Sequence, residues 1–286
     1  MLFFIIYKIG SLVALACPTM ICYKIASILS GIKYTYSRTE QKEMVGNLKK
    51  IFPEKDLKTL KRYSKKIFEN FSKYLVDFLK FEKLDLAYIK DNVEIVNRHY
   101  VDDGLKRGKG VITISAHLGN WELGGAIMGI LGYPTNVIAL DHKNKLVNRF
   151  FVNQRRINGE KVIPISVALR QCFCTLKNNE LLAILGDKDF SKNGVVVKFF
   201  GCDTLLPKGP AVFSLKTGAS IVPSFVIRTN EDKFKLIFEK PIQYSPSGNF
   251  DKDVVNLIEL YSKVMETYIK NYPTQWYCFR KFYLEK

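Results

Sequence analysis

The chain opens on an apolar run, MLFFIIYKIGSLVALACPTMICYKIASIL, interrupted by Lys8, Pro18 and Lys24. The uncharged stretch from 9 to 23 is shorter than the ~20 apolar residues that a helix needs to cross a bilayer. Residues 1–31 therefore read as one or two hydrophobic helices in or against a membrane interface, with Lys8, Lys24 and Lys33 reaching toward headgroups. A buried core helix and a single span are the alternatives. From 56 to about 84, Leu57, Leu60, Ile67, Phe68, Phe71, Leu75, Phe78 and Leu79 recur at helical spacing with lysines and Arg62 between them, which predicts a basic amphipathic helix.

After Asn97 the pattern changes to short β-branched runs separated by helix-sized segments: 110–115, 136–140, 162–165, 181–185, 195–200, 221–227 and 234–238. Such alternation predicts an α/β fold whose sheet is covered on both faces. The last three strands have little helix between them, so that edge is expected to be mixed or antiparallel. A final amphipathic helix over 251–271 carries Val254, Leu257, Tyr261, Val264 and Tyr268 on one stripe and ends before Pro273. The expected plan is a central, mostly parallel or mixed sheet flanked by helices. A helical, membrane-associating part (1–90) precedes an α/β core (91–286).

Composition changes this picture in one respect. Apolar residues at 47% and charged residues at 25% of 286 are ordinary for a globular chain. However, 44 Lys plus Arg against 27 Asp plus Glu leave a net charge of +17, which favours an anionic partner. No nucleic-acid module accompanies the charge, so nucleic acid is not expected. The six cysteines form no CxxC pair and read as thiols in a reducing compartment.

The stretch that carries chemistry is Val111-Ile-Thr-Ile-Ser-Ala-His117-Leu-Gly119-Asn120-Trp-Glu122. A buried strand delivers a histidine at its carboxyl end, turns through Gly119 and Asn120, and enters a helix that Asn120 caps. Glu122, in the first helical turn, is expected to fold back on the imidazole, so that the free ring nitrogen can accept a proton from an alcohol. The amides of Gly119 and its neighbours are expected to stabilise an oxyanion. There is no GxSxG run to supply a nucleophile. In the run from Asp187 to Gly194, Lys192 and Lys198 occupy positions that a calcium loop gives to Gly and Glu, so no metal is expected. His99 and His142 read as structural.

His117-Leu-Gly-Asn-Trp-Glu122 resembles the HxxxxE motif of the bacterial lipid A biosynthesis acyltransferases, the lauroyl and myristoyl transferase type within the lysophospholipid acyltransferase superfamily. Leu185-Gly-Asp187-Lys-Asp189 resembles that family's second block. Pro273-Thr-Gln275-Trp276 resembles its Pro-x-Gln-Trp ending, and Asn47-Leu-Lys-Lys-Ile-Phe-Pro53 an early segment. Lys188 stands where Gln or His is common, and the tail lacks the aromatic-His-x-Arg run.

The resemblance implies catalysis by His117 and Glu122, and substrate contacts from Arg155, Arg156, Asp187, Asp189, Asn120 and Gly119, with Arg156 the preferred arginine. It implies acyl transfer from an acyl carrier protein or coenzyme A thioester to a lipid hydroxyl, on a lipid A precursor or another glycolipid. No cofactor beyond that co-substrate is expected. The setting implied is the cytoplasmic face of a bacterial inner membrane, where an anionic surface suits the positive charge. A catalytically silent lipid-binding module and a hydrolase that uses the same histidine on water are the alternatives.

Overall fold

The computed structural model describes residues 2–190 and 193–284, with side chains from Phe4 onward. Five helices come first: α1 (Leu2–Ala16), α2 (Thr19–Tyr36), α3 (Arg38–Ile51), α4 (Leu57–Leu79) and α5 (Leu86–Asn92). The core follows as β1 (Val93–Val96), α6 (His99–Lys106), β2 (Val111–Ser115), α7 (Trp121–Ile130), β3 (Thr135–Ala139), α8 (Lys145–Arg156), β4 (Lys161–Pro164) and α9 (Ala168–Lys177). It ends with β5 (Leu181–Leu185), β6 (Val195–Phe199), β7 (Cys202–Leu206), α10 (Gly209–Thr217), β8 (Ser220–Arg228), β9 (Phe234–Phe238) and α11 (Phe250–Asn271).

Seven strands form one sheet in the order β1-β9-β8-β2-β5-β3-β4. β8, β2, β5, β3 and β4 pair in parallel, whereas β9 runs antiparallel to β8 and carries β1 parallel to itself. The mixed edge expected from the sequence is therefore the β8–β9 pair. β6 differs from expectation: it pairs only with β7, in a separate antiparallel hairpin. A tight turn through Phe200 and Gly201, both in the left-handed region, closes that hairpin locally.

The two faces of the sheet are separated by side-chain alternation. On β2, Ile112 and Ile114 join Leu182, Ile221 and Phe225 in a core that includes Val254, Leu257 and Tyr261 of α11. Val111 faces the other way, into a core with Leu123, Ile127 and Phe150 of α7 and α8. Both long helices begin on side-chain caps. Asp56 accepts the Thr59 amide at 2.6 Å, and Asn249 accepts that of Lys252 at 3.1 Å.

The amino terminus forms two helices because Pro18 lies between them, at the N-cap of α2. Their inner side carries Ser11, Ala14, Cys22, Tyr23 and Ser30. Their outer side leaves Ile6, Ile9, Leu12, Ile28, Leu29 and Ile32 between 53% and 67% exposed. None of the described helices is long and apolar enough to cross a membrane.

A buried polar network ties α2 and α4 to the sheet. The Asp77 carboxylate accepts from the Tyr23 hydroxyl, from Arg228 Nη2 and from Asn120 Nδ2, the last at 2.9 Å. Arg228 Nη1 also donates to Tyr23 Oη at 2.9 Å. Removing one member of a buried ion pair leaves the other charge without compensation, whereas replacing both need not destabilise. Asp77→Ala or Arg228→Met alone should therefore lower the unfolding free energy in urea by about 3–5 kcal/mol. The double variant Asp77→Leu/Arg228→Met should recover much of that loss.

Candidate active site

The site lies where the parallel strands end, the edge at which open α/β sheets hold ligands. β2 and β5 are adjacent and in register, with Ser115 opposite Leu185. His117 and Asp187 each lie two residues beyond that pair, and the shared offset brings them together. Asp187 Oδ1 accepts from His117 Nδ1 at 2.7 Å, and Oδ2 accepts from Trp276 Nε1 at 3.1 Å. The Asp187 side chain has no solvent exposure and that of His117 has 17%.

The carboxylate on the imidazole is therefore Asp187, where the sequence predicts Glu122. Glu122 does stand in the first turn of α7, but the guanidinium of Arg155 reaches it from α8. Nε and Nη2 donate to its two oxygens at 2.7 and 2.6 Å. Both side chains are mostly buried, and such a bidentate pair fixes the carboxylate on α8 rather than on the histidine. Arg155 lines the cleft, while Arg156, the arginine preferred from sequence, lies exposed at the end of α8.

The turn expected to provide an oxyanion hole has a structural role instead. The Gly119 amide donates to the Gln275 carbonyl at 2.9 Å and the Asn120 amide to the Val226 carbonyl at 2.8 Å. Gly119 has φ +64°, and a Cβ there would lie 1.8 Å from the Val226 carbonyl oxygen, so only glycine fits. Asn120 caps α7 by accepting the Leu123 amide at 3.1 Å, as expected, while its Nδ2 serves Asp77.

The carboxyl-terminal segment clamps this motif. Besides Gln275 and Trp276, Tyr277 donates its amide to the His117 carbonyl at 2.8 Å, and Lys188 Nζ reaches the Tyr277 carbonyl at 2.7 Å. The Gln275 side chain bridges both backbone groups of Arg228, at 3.0 and 2.9 Å. Asn47 Nδ2 holds the tail further on, donating to the Arg280 carbonyl at 2.8 Å. Asp189 accepts the Gly194 amide at 3.0 Å beside the cleft.

His117, Glu122, Arg155 and Asp189 border one cleft of ≈ 1020 Å³ that follows the carboxyl edge of the strands and continues beneath α7. Its wall is largely apolar, with Met128, Leu181, Val226, Leu236 and Phe238 among the lining residues. His142, read as structural from sequence, also borders it, with its ring centroid 4.4 Å from that of Phe151.

Burial acts to raise the Asp187 pKa. The facing His117 charge and hydrogen bond, with Lys188 and Trp276, outweigh it and hold the carboxyl below its ordinary range. An ionised Asp187 that already accepts from Trp276 fixes the proton of His117 on Nδ1, which leaves Nε2 as a proton acceptor. No nucleophile is needed for such a site to activate an alcohol or water.

The sequence pattern of the bacterial lipid A biosynthesis acyltransferases matches residues 1–285, and the chain belongs to that family. It is similar to a phosphatidylinositol mannoside acyltransferase of Mycolicibacterium smegmatis, with 25% identity over 158 residues, 54% of this chain and 52% of that protein. It is also similar to phosphatidylinositol mannoside acyltransferases of two strains of Mycobacterium tuberculosis, with 30% identity over 129 residues, 44% of this chain and 41% of each relative. The chain thus matches about half the length of the first of these relatives and less of the others.

A depressed carboxyl pKa contributes stability that is complete above the unfolded-state value, near 4, and is lost as pH falls through the lower folded value. Asp187→Asn removes this contribution. Unfolding free energies measured from pH 5 downward should fall less steeply for the variant than for the wild type.

Proposed function

We propose that the chain is an O-acyltransferase that moves a fatty acyl group from an acyl carrier protein or coenzyme A thioester to a hydroxyl of a membrane glycolipid. The observation that carries this reading is an imidazole oriented by a buried carboxylate at the rim of a large, mostly apolar cleft. Only a hydrophobic substrate has reason to occupy such a volume. Membership of the family supports the reaction class. The family's name suggests a lipid A precursor as acceptor and the relatives' names suggest phosphatidylinositol mannoside; a glycolipid hydroxyl is common to both.

In this scheme His117 Nε2 takes the proton of the acceptor hydroxyl as its oxygen bonds to the thioester carbonyl carbon. Asp187 stabilises the imidazolium that results. The carbon–sulfur bond then breaks, the leaving thiolate takes the proton from Nε2, and an ester and a free thiol are released. Glu122 supports the site indirectly by holding Arg155 at the cleft wall. Two of the five N–H donors of Arg155 are filled by Glu122, which leaves those of Nη1 and one of Nη2 for a substrate phosphate. Lys143, Lys208 and Arg280 also border the cleft and would favour an anionic donor or acceptor.

The outer face of α1 and α2 supports docking on an anionic bilayer, with the exposed Lys24 and Lys33 on α2. Such docking would bring the cleft to its lipid acceptor at the cytoplasmic face of a bacterial inner membrane.

With an acyl-coenzyme A or acyl-carrier-protein donor and a glycolipid acceptor, His117→Ala should lower kcat for ester formation by about 100- to 10,000-fold, measured by mass spectrometry of the product. Equal transfer by wild type and variant would refute the general-base assignment, and release of free fatty acid alone would favour the hydrolase reading. Replacing Ile9, Leu12, Ile28 and Leu29 with Asp should abolish co-sedimentation with phosphatidylglycerol-containing vesicles, because a charged side chain costs up to ~3 kcal/mol in the hydrocarbon region. Unchanged co-sedimentation would remove this face from the account.

A further inference from the structure

Glu160 follows α8 in the chain and is 3% exposed, and both of its carboxyl oxygens lack a hydrogen-bond partner. It borders the cleft. Its carboxyl lies against α7 where that helix has no side chain: a Cβ on Gly125 would fall 2.2 Å from Oε1. A buried carboxyl without a partner loses its hydration with nothing in return, so a native site that keeps one normally receives the missing partner from a ligand or water.

The sheet face beneath α7 carries further oxygen atoms. Thr113 and Ser115 of β2, Thr135 of β3 and Ser224 of β8 all border the cleft. Positions buried on a parallel sheet are ordinarily filled by Val, Ile or Leu. Ser115 Oγ, like Glu160, is buried without a partner. Burial, reinforced by the Glu122 carboxylate, pushes the Glu160 pKa well upward, and Arg155, committed to Glu122, only partly opposes the shift. The protonated form, which this shift favours, can both donate and accept.

Building on the acyl-transfer reading, we propose that Glu160 is a specificity-determining residue of the acyl-binding cleft, where it hydrogen-bonds a hydroxyl carried along the chain of the transferred acyl group. Gly125 lies one helical turn beyond Glu122 along α7, away from the end of that helix that follows the His117 loop. The contact therefore falls on the body of the acyl chain rather than on its thioester carbon. The apolar neighbours Met128 and Val137 suit the methylenes on either side of the hydroxyl.

The test uses the purified full chain and displacement of a bound fluorescent fatty acid. The competitors are hexadecanoic acid and the positional isomers of hydroxyhexadecanoic acid, with the hydroxyl at successive carbons. Wild type should bind one isomer about 10-fold more tightly than the plain acid, the worth of one hydrogen bond to a buried group. Glu160→Leu should reduce that preference to about twofold or less without weakening the plain acid, and Glu160→Gln, which keeps a donor and an acceptor, should retain most of it.

Equal binding of all isomers by wild type would overturn the proposal, since water alone would then satisfy the carboxyl. So would a 10-fold preference that survives Glu160→Leu. Transfer from plain hexadecanoyl-coenzyme A, measured alongside, reports separately on the acyltransferase reading. A wild type that shows no hydroxyl preference but still transfers the plain acyl group overturns only the assignment of Glu160.

Discussion

A carboxylate with no solvent exposure persists in a folded protein only where neighbouring donors and charges compensate for its lost hydration. Asp187 is in that position, and the carboxyl edge of the sheet is arranged around it. Its oxygens are taken by His117 and Trp276, so one buried charge fixes the histidine's tautomer and ties the carboxyl-terminal segment to the strand ends. Gln275, next to Trp276, takes the Gly119 amide and both backbone groups of Arg228. The loop that presents the imidazole is thus held by backbone bonds that a substrate would otherwise have to compete for, which explains why its amides are not free for an oxyanion.

The second buried polar centre, Asp77 with Arg228 and Tyr23, connects this loop to the amino-terminal helices. Asn120 belongs to both centres, because it caps α7 through Oδ1 and donates to Asp77 through Nδ2. Tyr23 sits on the inner side of α2, opposite the apolar surface that faces solvent. Three or four side chains therefore link the helix proposed to meet the bilayer with the turn that follows His117. The cost of such a network is rigidity, and its return is a site whose geometry depends on several elements being in place at once.

Much of this architecture was legible in the sequence. The runs at 181–185 and 234–238 match β5 and β9, the cap at Asn120 is readable as a cap, and Pro18 marks the break between α1 and α2. β1 and β7 escaped notice because Val93–Val96 and Cys202–Leu206 are short and partly polar, and edge pairing, not an apolar run, defines them. The partner of His117 was obscured for a different reason. A carboxylate five residues away is visible in a motif, whereas one seventy residues away becomes a neighbour only once β2 and β5 are known to be adjacent and in register. Arg155 likewise outranks Arg156 only when the side of α8 that faces α7 is known. Glu160 carried no sequence signal, since a lone glutamate after a helix ordinarily lies in solvent.

The central claim is that Asp187 holds the proton of His117 on Nδ1 and leaves Nε2 free to accept another. Nitrogen-15 NMR of the histidine-labelled chain measures this directly. For the neutral ring the account predicts a protonated Nδ1, an unprotonated Nε2, and a downfield Nδ1 proton that disappears in Asp187→Asn. A wild-type ring protonated on Nε2 alone, or a spectrum indifferent to Asp187→Asn, would contradict it.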